Sequence, residues 1–134
     1  MGLDTGIVVI ITDEQKFGFI PKEFLCMRDR WDRKEYEIHY WRKNYRIDNI
    51  LVNTFSQCDS GRYYDLSINL EMLEKAYSEI LENWETIKKD DDYIFEVELE
   101  RGMKFARFLL DKPKDSYIIE FYSSCWKPQA VRGI

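Results

Sequence analysis

Tyr40, Trp41, Arg42 and Lys43 stand consecutively, two aromatic rings beside two cations. Such rings stack on a flat base, and a guanidinium pairs with phosphate through a planar fork. Arg46 lies four residues beyond Arg42, and Asp48 four beyond Asn44. On a helix these pairs are neighbours, so the two like charges need a partner. A glutamate of the helix expected over 69–88, an outside anion, or solvent alone would serve. Asn44 and Asp48 would then fall inside an apolar arc, where buried polar groups require hydrogen-bond partners. Either they satisfy one another with a nearby tyrosine hydroxyl, or they line a pocket. The loop from Gly61 to Tyr64, with Tyr63, and the aromatic end from Tyr122 to Trp126 could close a ligand pocket over Tyr40 to Lys43.

The parts of an enzyme are sparse. A thiol–imidazole pair would have to come from Cys125 and His39, and no local motif joins them. Ser123-Ser124 lacks a G-x-S-x-G setting, and no G-x-x-x-x-G-K-[ST] phosphate loop is present. Cys26, Cys58 and Cys125 are widely spaced, and His39 is the single imidazole. Structural zinc ligands come in close pairs, so a metal site is not expected. No catalytic residue and no cofactor is assigned.

The chain has 134 residues, a net charge of −5 and a pI near 5.0. That size predicts one compact domain over residues 1–134. Its 45% hydrophobic and 16% aromatic content supplies a core. The acidic balance argues against a general nucleic-acid binder, which shows a basic footprint. The acidity is concentrated: residues 65–100 hold 12 acidic and 3 basic side chains, whereas 28–64 hold 6 and 8. No signal peptide and no membrane-length apolar run is read, so a reduced, cytoplasmic protein is expected.

These residues depend on the elements that carry them. Ile7 to Ile11 is a β-branched run and reads as a buried strand. Phe17 to Ile20 would pair with it as a hairpin; from Lys22 to Lys34 the pattern loses period, and "RDRWDRK" at 28–34 reads as a mixed-charge surface segment. "EYEIHY" alternates like a strand, but from Tyr40 a helical phase explains more, predicting a helix over about 40–53. Arg62 to Leu66 reads as a short strand. A long amphipathic helix over about 69–88 follows, capped by Ser67 or Asn69, with Glu71, Glu74, Glu79, Glu82 and Glu85 outward. A further helix opens near Asp90–Asp92, runs through about Asp111 and stops at Lys112-Pro113. Tyr117 to Trp126 returns to strand, Tyr117, Ile119 and Phe121 on one face, Glu120 and Tyr122 on the other. The expected fold is α+β, a small, mostly antiparallel sheet covered by two to three helices.

Four markers occur in order along nearly the whole chain: "MGLD" at 1–4, "YWRK" at 40–43, "CDSGRYY" at 58–64 and "SSCW" at 123–126. With them the sequence resembles a group of short phage- and prophage-encoded proteins. The resemblance implies a mobile-element origin and a small cytoplasmic protein, and it carries no mechanism. The group continues Ile-His after the Y-W-R-K, where this chain has Ile47-Asp48. Any chemistry resting on that histidine is absent here.

The expected function is a non-enzymatic protein-interaction module acting on a host or phage factor. The acidic helix could present itself to a basic partner as a nucleic-acid mimic. The alternative is a nucleotide or other anionic small ligand bound by Tyr40, Trp41, Arg42, Lys43, Arg46, Asp48, Tyr63 and Trp126. No membrane association is expected.

Overall fold

The computed structural model describes residues 4–29, 31–32, 34–42, 44–55, 64–87 and 93–123. Four antiparallel strands form one sheet in the order β2-β1-β4-β3. They are β1 (Asp4–Ile11), β2 (Glu35–Arg42), β3 (Tyr64–Ile68) and β4 (Tyr117–Ser123). The helices are α1 (Glu14–Phe17), α2 (Tyr45–Phe55), α3 (Leu70–Glu82), α4 (Trp84–Ile87) and α5 (Tyr93–Leu109). This is the α+β fold read from the sequence.

Strand periodicity decides which residues reach the core. Thr5, Ile7, Val9 and Ile11 of β1 and Ile119 and Phe121 of β4 are buried beneath the helices. Ile47, Leu51 and Phe55 of α2, Leu73, Ala76, Tyr77 and Ile80 of α3, and Leu99, Phe105 and Leu109 of α5 meet them in one core. Each buried Val, Leu, Ile or Phe side chain among them contributes about 1.5–3 kcal/mol on leaving water.

Three local expectations are corrected. Phe17–Ile20 is not a hairpin strand. Asp13 accepts the Lys16 amide at 3.1 Å and starts the helical turn α1, which Gly18 ends at φ +81°. Phe17 thereby enters the core against Phe108 and Tyr117.

The helix expected over 40–53 begins only at Tyr45. Tyr40, Trp41 and Arg42 instead continue β2, opposite Gly6, Thr5 and Asp4 of β1. Two features explain the difference. The register shifts at Ile7/Val8, and the consecutive residues Ile38 and His39 both face inward, so the alternation changes phase in mid-strand. Asn44 then accepts the Ile47 amide at 3.1 Å and caps α2.

The helix expected over 69–88 is two. Asn69 caps its start, accepting the Met72 amide at 2.8 Å. Asn83 interrupts it, its backbone N–H reaching the Glu79 and Leu81 carbonyls and its side chain donating to Glu79 at 2.8 Å. The starting segment Asp90–Asp92 of the next helix, and the strand residues predicted beyond Ser123, lie outside the described residues. Among the described residues, no helix is long and apolar enough to cross a membrane.

Candidate functional site: the uncovered sheet face

Among the described residues the helices pack on one face of the sheet and leave the other uncovered. The other face is built from the outward residues of three adjacent strands, and the register arranges them in rows. Tyr40, Gly6 and Tyr122 form the first row. Glu37, Val8 and Glu120 form the second, and Glu35, Ile10 and Ile118 the third. An aliphatic strip of Val8 and Ile10 therefore runs along β1 between carboxylates of β2 and β4. The central strand is apolar on both faces, which is why its sequence is a continuous β-branched run.

The tyrosines are fixed. Tyr122 leans over Gly6, where a Cβ would lie 2.5 Å from its ring, and its hydroxyl donates to Glu37 Oε2 at 2.7 Å. Tyr40 donates to Asp4 Oδ1 at 2.7 Å and remains about half exposed. Burial, then the bond to Glu37, pushes the Tyr122 hydroxyl well above its ordinary range. The Tyr40 hydroxyl is raised chiefly by its bond to Asp4. Both therefore stay protonated and donate at neutral pH.

A cleft of about 750 Å³ extends over this face and around the edge of β2. Its lining includes carboxylates of Asp29, Glu35, Glu37, Glu98 and Glu120 against the guanidiniums of Arg28 and Arg101. The local field is negative. Consistent with that, the Glu35 carboxyl is raised above its usual range by partial burial, by a hydrogen bond with Asp32 and by the charges of Asp29 and Glu120. The neighbouring loop is held in shape by Asp29, which accepts the amides of Trp31 at 2.6 Å and Asp32 at 3.0 Å.

Two buried polar clusters lie on the covered side. His39 stacks on Trp41 with centroids 4.9 Å apart, and its Nε2 is 2.6 Å from the Tyr77 hydroxyl. Burial lowers its pKa to about 3, so the imidazole is neutral at physiological pH. Burial also pushes the Tyr77 hydroxyl far above its ordinary range. Asp48 accepts hydroxyl hydrogen bonds from Thr5 at 2.8 Å and Ser123 at 2.7 Å, tying α2 to β1 and β4. Among the described residues its carboxylate is paired with these two strands, where the sequence suggests Asn44 and a tyrosine hydroxyl.

Of the residues expected to share one ligand, the described ones are dispersed. Tyr40 and Arg42 face outward and Trp41 is buried on the opposite side. Arg46, on α2, donates to the backbone carbonyl of Thr86, where a glutamate side chain or an outside anion is predicted. Asp48 is buried beneath the sheet. Lys43, Tyr63 and Trp126 lie outside the described residues, as does Cys125. Among the described residues no three His, Cys, Asp or Glu side chains are placed to hold a metal ion.

Gly6, Val8, Glu35, Glu37, Glu120 and Tyr122 form the face, and residue type alone does not single them out. The signal that finds Glu35, Glu37, Glu120 and Tyr122 is alternation in "EYEIHY" and "YIIEFY", read for the outward positions; Gly6 and Val8 sit in the unalternating β1 run and are found only through the register. Comparison with protein-family models, with curated proteins and with solved structures gives no match.

Proposed function

We propose that this protein is a non-enzymatic interaction module that docks a basic segment of a partner protein on the uncovered face of its sheet. The observation that supports the reading is the row Glu37–Val8–Glu120 beside Tyr40–Gly6–Tyr122: an aliphatic strip and anchored aromatic rings, bordered by carboxylates. Tyrosines of this kind supply contact area at small entropic cost, because two torsions are already fixed. The carboxylates attract and orient a cationic partner. The resemblance to phage- and prophage-encoded proteins supplies the setting, a partner that is a host or phage factor met in the cytoplasm.

The anionic-ligand alternative draws less support. Its arginines are not gathered, and the cleft beside Tyr40 carries more carboxylates than guanidiniums.

Carbodiimide coupling in cell lysate tests the reading, because it joins carboxylates to partner lysines in direct contact. Partner peptides coupled to Glu35, Glu37 or Glu120 are expected. Coupling confined to Glu71, Glu74 and Glu79 of α3 would move the docking surface to the helical side and overturn the assignment.

A further inference from the structure

We infer that the uncovered face contains a slot for a single arginine side chain of the partner, formed by Glu37, Val8, Glu120 and Tyr122. The inference rests on the docking role proposed above and names the group that role recognises.

The dimensions come from the register. Glu37 and Glu120 both lie opposite Val8, one on each side of β1. Adjacent strands are about 4.8 Å apart, so these two residues stand roughly 9–10 Å apart across the sheet. A guanidinium donating to one carboxylate at each edge, with N–H···O contacts of about 2.8 Å, spans about that width. An ammonium is a compact point charge and cannot reach both carboxylates at once.

The floor suits the rest of the side chain. Val8 and Ile10 are part-buried and apolar, a surface on which the three methylenes of arginine can lie. At the end of that strip stands the Tyr122 ring, held over Gly6 by its hydrogen bond to Glu37. A planar cation meets an aromatic ring by stacking, and arginine does so more readily than lysine. The bond to Tyr122 uses Oε2 of Glu37 and turns that carboxylate toward β1, so ring and acid are set in place together. The occupant is identified by charge as well as shape: the arginine brings one positive charge to two carboxylates.

The test uses two peptides, acetyl-Arg-Gly-Arg-Gly-Arg-amide and its lysine counterpart, titrated into the 15N-labelled full chain. The expected result is saturable shifts at the amides of Gly6, Val8, Glu37, Glu120 and Tyr122, with the lysine peptide at least fivefold weaker. Glu37→Gln with Glu120→Gln should weaken the arginine peptide at least tenfold and erase its advantage over lysine. Tyr122→Leu is a second route to the same loss, should the double variant not fold. If both peptides shift this face with equal affinity, the docking surface stands and the arginine slot is overturned. If neither peptide shifts it, the docking role falls with the slot.

Discussion

Tyr122 of β4 reaches across the whole of β1 to hydrogen-bond Glu37 of β2 at 2.7 Å. The span is possible because the residue beneath the ring is Gly6, where a Cβ would sit 2.5 Å from the ring carbon Cζ. One glycine thus sets the surface that the proposed partner meets. Gly6→Ala should push the ring tip aside and break the bond to Glu37, costing about 1 kcal/mol, the typical worth of one hydrogen bond. Tyr122→Phe should cost a similar amount. Because both act on one bond, the double variant should be less destabilised than the two effects added, a comparison that urea denaturation resolves.

A second glycine governs the other side of the sheet. Gly102, inside α5, lies against β2, where an added Cβ would be 2.5 Å from the Ile38 carbonyl oxygen and 2.6 Å from His39 Nδ1. Replacing an interior helical glycine by alanine ordinarily gains about 1 kcal/mol. Here the neighbour is backbone and cannot swing away. Gly102→Ala is therefore expected to destabilise, by about 1–3 kcal/mol, and thermal unfolding gives the sign.

His39 makes stability depend on pH in a defined window. Its folded pKa of about 3 lies below the ordinary 6.5, so the unfolded chain binds the proton that the folded chain refuses. Stability from this group is complete above pH 6.5 and declines as pH falls toward 3. At pH 5 the loss amounts to about 2 kcal/mol relative to neutral pH. His39→Gln should show a visibly flatter stability profile between pH 6.5 and 5, where few carboxylates titrate.

Much of this architecture is legible in the sequence, and the exceptions have physical causes. The β1 run, the Asn69 cap, the α3 stripe and the inward set Tyr117, Ile119 and Phe121 follow from periodicity and capping. The Tyr40 to Arg42 segment does not, because the bulge at Ile38-His39 changes the alternation, so helical phase matches these residues by coincidence. Asp48 is legible as a buried acid within an apolar arc. Its partners Thr5 and Ser123 are 43 and 75 residues distant, and only the strand order brings them to it. The candidate surface is similar. Glu37 and Glu120 are 83 residues apart in sequence and become a pair only when both strands flank Val8.

The most direct measurement of the central claim is quantitative capture of partners from lysate by three tagged proteins of matched stability. They are the wild type, Glu37→Lys with Glu120→Lys on the sheet face, and Glu74→Lys with Glu79→Lys on α3. The sheet-face variant is expected to lose at least tenfold of any partner the wild type retains, while the α3 variant keeps it. Retention by the sheet-face variant with loss by the α3 variant would contradict it, placing the docking surface on the acidic helix.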